Sequence, residues 1–397
     1  MQKFGRELRI TVTLDKINWQ YALFLTAQLA RSSAGLKNIA ILDSIMTVIQ
    51  IYCFLTCFWR RIRKGRFSVL DISIIGFYMS LLVSTILVSR DFVSWGTYTL
   101  QGIGSVFLIE DMLLKDEYKG IAIIRNVSFV FILCNLISVI IAPGEFFDGY
   151  FFLGSRIGFT PFCIFAVVAS MAYDFINKSN KISFFSFVTI LTAVLNLTLQ
   201  NVATGLLGLL LLIVMLIAGN FICKFGMYKL NYILAFLLPL TAWVIIVLAG
   251  NTDIVQNLLT FVGRDATFSG RTIIWNTAIG YILEKRFFGY GVTALGEFYI
   301  DAYVNGRSLP AHDELLNLLY QGGIAAFICW NILFIITGRA LFKCKDRYVV
   351  PLMSAMIFSF SCIMITEIQS QKAVIFLAIA LAYQLGINHT AEVRADV

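Results

Sequence analysis

The chain has 397 residues, of which 59% are hydrophobic and only 14% charged, and its mean hydropathy is +0.83. Soluble globular proteins carry roughly 25% charged residues, so a water-soluble globule is excluded and a polytopic integral membrane protein is implied. The net charge of +8 does not mark a nucleic-acid binder, which would gather Lys and Arg on one solvated face; here they fall between apolar runs, and no nucleic-acid partner is expected.

The predicted elements are all α. Hydrocarbon about 30 Å thick needs ~20 apolar residues per helix, and that window gives spans near 17–36, 38–59, 68–88, 92–114, 120–142, 157–176, 182–200, 202–222, 230–250, 319–341, 349–366 and 372–388, twelve in all. The first sixteen residues carry Lys3, Arg6, Arg9 and Lys16, with no compact apolar segment and small-residue cleavage site behind them, so no removed signal peptide is expected. The eight Cys lie in or beside apolar runs without disulfide or zinc spacing. Residues 251–313 form the single long interruption and are polar enough to lie outside the bilayer. The chain thus divides into 1–250 with the first nine spans, 251–313 as an extracytoplasmic loop, and 314–397 with the last three. Lys and Arg number 20 on the side of the termini and 10 on the side of the long loop, with Arg125 at the inner edge of a span. Cytoplasmic loops carry the excess, so both termini are expected in the cytoplasm and the long loop outside. No repeat relates the two halves, which argues against a transporter built from repeats.

The long loop holds five of the ten outer basic residues, a concentration suited to an anionic ligand. Arg264 and Arg271 stand seven residues apart among small and hydroxyl residues. From Thr272 onward Ile274, Ala278 and Ile282 recur at helical spacing beside Trp275 and Ile279, which predicts an amphipathic helix. Arg271 then sits at a helix N-terminus, where backbone N–H groups and a guanidinium fork suit phosphate oxygens. The competing reading pairs Arg264 with Asp265 and lets Arg271 snorkel to lipid headgroups. A turn is predicted at Gly289-Tyr290-Gly291, where glycines tolerate backbone angles that side chains oppose. Further on, Pro310-Ala311-His312-Asp313-Glu314 opens the next apolar helix. His312 is the outer of the chain's two His; in neutral form it can take a proton from a sugar hydroxyl, with Asp313 or Glu314 to orient it. The alternative is an interfacial His satisfied by water. Gly322-Gly323 implies a kink or close helix packing. Asp71, Glu110, Asp111 and Arg125 lie near inner span ends, where capping and snorkelling explain them. Arg156 opens a span on the outer side and is a third candidate anion ligand.

Read together, GRDATFSGRTIIWNTAIGYILEKRFFGYG from Gly263 and AHDELLNLLYQGG ending at Gly323 resemble the signature of the O-antigen ligase and polysaccharide polymerase superfamily, as does the layout of twelve spans with a long loop between the ninth and tenth. The resemblance implies a metal-independent glycosyltransferase with no cofactor, whose donor is an undecaprenyl-diphosphate-linked oligosaccharide. It implies residence in the bacterial cytoplasmic membrane, with a flippase and a chain-length regulator of the same pathway as partners. Carried onto matching positions, it makes Arg271 the diphosphate ligand and His312 the activator of the acceptor hydroxyl. Arg264 then supports the clamp, while Arg156, Asp313, Glu314 and Tyr290 are candidate substrate contacts.

Two departures matter within the superfamily. Ligases commonly carry an Arg at the outer start of the eighth span, where this chain reads Leu199-Gln200-Asn201-Val202-Ala203-Thr204-Gly205. The residue after the His is often Asn, and here it is Asp313. Phe151-Phe152-Leu153-Gly154, Gln200 to Gly205 and the Gly263 to Arg271 run look more like capsular or exopolysaccharide polymerases. A polymerase is therefore favoured over a ligase acting on lipid A-core, and a flippase or transporter is the alternative from another class.

Overall fold

The computed structural model describes residues 19–33, 36, 39–142, 151–155, 158–177, 182–248, 271–293, 296–300 and 306–390. In chain order they form α1 (Trp19–Arg31), α2 (Ala40–Lys64), α3 (Val69–Ser84) continued by a π turn (Thr85–Ser89), α4 (Phe92–Lys115), α5 (Glu117–Ile141), α6 (Thr160–Ile176), α7 (Phe184–Leu199) and α8 (Ala203–Lys224). Next come α9 (Tyr228–Trp243) continued by a π turn (Val244–Leu248), α10 (Arg271–Glu284), β1 (Glu297–Ile300), β2 (Arg307–Pro310), α11 (Glu314–Lys343), α12 (Val349–Met364) and α13 (Ala373–Asn388).

A helix stands on every span that the hydropathy predicts, and the fold class is all-α. Among the described residues, six helices are long and apolar enough to cross a membrane: α2, α3 with its π turn, α5, α8, α9 with its π turn, and α11. Four more, α6, α7, α12 and α13, are apolar but shorter. Helix starts follow local chemistry. Ser68 and Asp71 close a capping box on α3, Asp91 caps α4, Asp116 caps α5 and Ser183 caps α7, each side-chain oxygen satisfying a backbone N–H that the first turn leaves unpaired.

α13 is apolar around its whole circumference, and such a helix belongs inside. Fourteen of its sixteen residues are buried, packed by α4, α6, α11 and α12. The outer helices present Val48, Leu55, Leu210, Ile217 and Leu237 outward, as a lipid-facing surface requires. Several interior charges are paired. Arg61 bridges Asp71 at 2.8 Å and Glu110 at 2.9 Å, while Arg60 holds Asp111 at 2.5 Å. Asp43 pairs with Arg31. At the same end of the bundle as the Arg61 group, the end of α13 is tied down where His389 meets Glu117 at 2.9 Å and Asp346 at 3.2 Å.

The opposite end carries a second, smaller core. Trp243, Ile274, Trp275, Ala278, Phe298, Ile300, Ala311, Leu316 and Tyr320 pack there, docking α10 and the β1–β2 hairpin onto the tops of α9 and α11. The hairpin, antiparallel with Glu297 opposite Pro310 and Ile300 opposite Arg307, is an addition to the single amphipathic helix expected in this loop. That helix is present, and Ile274, Trp275 and Ala278 are its buried residues.

α11 is broken at Gly323, whose φ of 62° and ψ of −162° belong to a region that is essentially glycine-only. The break redirects backbone hydrogen bonds to the turn after α10. Tyr290 N donates to Tyr320 O at 2.7 Å and Gly291 N to Gln321 O at 2.8 Å; in return Ile324 N donates to Arg286 O at 2.8 Å and Ala325 N to Phe287 O at 3.4 Å. Gly322-Gly323 is thus both a kink and a docking point: a Cβ on Gly323 would come within 2.4 Å of the Phe287 backbone.

Candidate active site

The second core brings two of the sequence candidates to one place. Arg271 is the first residue of α10. Its guanidinium donates to Thr366 O at 2.9 Å and to the Glu367 carboxylate at 3.2 Å, so it is braced by the connection between α12 and α13. A guanidinium has five N–H donors; the remaining three have no partner among the described residues.

His312 lies between β2 and α11. Pro310 is held by its pairing with Glu297, Ala311 is fully buried, and His312 takes φ +49°, a left-handed conformation uncommon for a residue with a side chain. Asp313 fixes the other flank. One carboxylate oxygen accepts the Leu316 N–H at 2.7 Å, capping α11, and the other accepts the Trp243 indole N–H at 2.8 Å. The His312 imidazole is half-buried, and burial together with the nearby positive charge of Arg271 holds its pKa below the ordinary value. A neutral imidazole at neutral pH can act as a proton acceptor.

The other candidates divide. Arg264 and Arg156 lie outside the described residues. Asp313 anchors the backbone at His312; burial pushes its carboxyl well above the usual range, against the pull of the Leu316 and Trp243 donors. Glu314 is fully buried, and one of its oxygens accepts the backbone N–H groups of Gln369 and Ser370. No hydrogen bond joins either carboxylate to His312 among the described residues. The Tyr290 ring stacks on Tyr320 with centroids 4.9 Å apart, and its hydroxyl donates to Glu284 at 2.7 Å. Its flanking glycines have φ +64° and +85°, as the turn required.

Trp243, Thr366 and Glu367 were not legible as site residues. Trp243 lies inside the predicted span 230–250, where nothing marks it out, and Glu367 reads as a charge at a span edge. Only the three-dimensional arrangement sets them against Asp313 and Arg271.

Residues 187–331, running from α7 into α11, match the O-antigen ligase family. That stretch is similar to the O-antigen ligase family. The matched stretch contains both Arg271 and His312, and the match supports the superfamily that the motifs between Gly263 and Gly323 resemble. No curated protein matches the chain. The O-antigen ligase family covers ligase and polymerase enzymes that act on lipid-linked glycans in the membrane.

Proposed function

We propose that the protein is a polysaccharide polymerase, an inverting, metal-independent glycosyltransferase that joins undecaprenyl-diphosphate-linked repeat units at the outer face of the bacterial cytoplasmic membrane. In this reading α1 to α9 and α11 to α13 make twelve crossings, both termini are cytoplasmic, and α10 with the hairpin lies outside. The observation that carries it is the meeting of Arg271, with three N–H donors at a helix N-terminus that no described residue accepts, and His312, whose surroundings favour the neutral form.

The diphosphate carries several negative charges. Arg271 can stabilise the charge that develops as the bond between anomeric carbon and diphosphate oxygen breaks. His312 takes the proton of the acceptor hydroxyl as that oxygen bonds to the anomeric carbon from the opposite face, which inverts the centre. Arg264 and Arg156 add positive charge around the leaving group. A flippase and a chain-length regulator are the protein partners of this reading.

Purified protein given lipid-linked repeat unit should yield a ladder of products, and His312→Ala should lower turnover by roughly 10²–10⁴-fold with donor binding retained. Wild-type turnover in that variant would refute the base assignment. The second reading, an O-antigen ligase that transfers a finished glycan to lipid A-core, is favoured by the description of the matching family; one transfer to an added lipid A-core acceptor, with no ladder, would decide for it.

A further inference from the structure

We propose that the polar face of α11 and the connection between α12 and α13 form the subsite that holds the acceptor sugar, an inference that rests on the glycosyl-transfer reading above. Glu314, Asn317 and Gln321 recur at helical spacing and line one face of the upper piece of α11. They are 0%, 0% and 4% exposed. Glu314 is bonded to the backbone at Gln369 and Ser370, which brings the connection against this face. Gly296, with φ +62°, closes it from the side of the hairpin: a Cβ there would lie 2.3 Å from Gln321 Nε2, 3.0 Å from Asn317 Oδ1 and 3.4 Å from Gln371 Nε2.

Within this group Gln321 Nε2 donates to Asn317 Oδ1 at 3.0 Å. Yet Glu314 Oε1, Asn317 Nδ2, Gln369 Oε1 and Nε2, and Gln371 Nε2 are all buried without a hydrogen-bond partner among the described residues. More than nine in ten buried polar groups are partnered in folded proteins, so five unpartnered atoms on these four residues leave hydrogen-bonding capacity that an occupant can use. Three of them are donors and two are acceptors. A bare cation would satisfy only the oxygens and an anion only the N–H groups, whereas a hydroxyl both donates and accepts. Gln369 has both ends of its amide unpaired, so exchanging its oxygen and nitrogen leaves the argument intact.

Position identifies which sugar it is. The face runs about 10 Å from Glu314 to Gln321 at 1.5 Å rise per residue, a length along which one sugar ring and its hydroxyls can lie. It begins two residues after His312, the group that takes the acceptor proton. The connection that forms its other wall carries Thr366 and Glu367, the partners of Arg271. A ring bedded on the amides therefore reaches the base, with the leaving group held beyond it.

Hydrogen–deuterium exchange on purified full-length protein in nanodiscs tests this, using the methyl glycosides of glucose, galactose and N-acetylglucosamine, and separately inorganic pyrophosphate, as probes. At least one glycoside should slow exchange at 365–372. Gln369→Met and Gln371→Met keep the side-chain length and remove the unpaired atoms. Each should weaken that protection roughly tenfold while pyrophosphate binding stays at the wild-type level, and Arg271→Ala should do the reverse. If these polar groups hold only water, the Met variants will be as stable as wild type or more so and no glycoside will protect the segment, which overturns the proposal. Glycoside binding unaffected by either Met variant would overturn it too. Pyrophosphate binding indifferent to Arg271 would remove the glycosyl-transfer reading beneath it, an outcome separable because it leaves the glycoside arm unchanged.

Discussion

Replacing Asp313 with Asn changes one atom at the top of α11 and removes one hydrogen-bond acceptor. The carboxylate serves two donors at once, Leu316 N–H at 2.7 Å and the Trp243 indole N–H at 2.8 Å. An amide has one oxygen, so its NH₂ must face one of those N–H groups. Asn is as good a helix cap as Asp; the loss is the second acceptor, in a residue that is 0% exposed. An orphaned buried donor costs roughly 1–3 kcal/mol, and because burial already pushes the Asp313 carboxyl toward its protonated form, removing the charge returns little of this. Asp313→Asn should therefore destabilise the detergent-solubilised protein by about 2 kcal/mol in unfolding experiments, and lower turnover by loosening the backbone at His312. The partner variant isolates the cause: Trp243→Phe deletes the competing donor, so the double variant should be more stable than the two single effects predict, by about 1–2 kcal/mol. Strictly additive effects, or a single Asn variant as stable as wild type, would refute the two-donor account.

Other expectations follow from the same geometry. Arg271→Ala should lose more activity than Arg271→Lys, because lysine keeps the charge and loses only the fork that fits a diphosphate; equal, wild-type activity of both at matched protein levels would rule out the clamp. Burial alone would lower the His389 pKa, but hydrogen bonds to Asp346 and Glu117 overcome it and lift it to about 9. A raised cation contributes stability that is complete below its unfolded pKa of roughly 6.5 and is lost as pH rises through the folded value. Stability should thus fall by on the order of 2 kcal/mol between neutral pH and about pH 10, and His389→Gln should flatten that slope; an unchanged slope would show that the latch is energetically idle. A Cys at exposed Ser308 should react with a membrane-impermeant thiol reagent in spheroplasts, and one at exposed Lys64 should not; the opposite pattern would invert the topology.

The bundle was legible because its signal is long. A stretch of about twenty apolar residues admits little besides a helix in a bilayer, and each predicted span holds one. The amphipathic face of α10 was legible from Ile274, Trp275 and Ala278, and the turn at Gly289 and Gly291 from the glycines themselves. The hairpin was not, because four residues such as Glu297 to Ile300 give too short an alternation to stand out. The fate of the charged residues was also hidden. Capping by Asp71 could be anticipated from its place near a span end, but the Arg61 bridge to Glu110 joins residues 49 apart, and the bracing of Arg271 by Glu367 joins residues 96 apart. Glu314 illustrates the limit best: sequence adjacency offers it to His312, while the fold turns it toward Gln369 and Ser370.

The exchange of backbone hydrogen bonds at Gly323 bears on how a substrate would be admitted under the proposed function. Undocking the 285–291 turn would break four bonds and strand their donors and acceptors near the bilayer edge, at a cost of on the order of a few kcal/mol for each group left unpaired. An unbroken helix would have released that turn freely; this one cannot. The turn is consequently a fixed threshold rather than a moving lid, the same during loading, transfer and release. Under the proposed function a lipid-linked glycan would enter around it, and the gating motion of the cycle, which sets turnover in many enzymes, would come from another part of the surface.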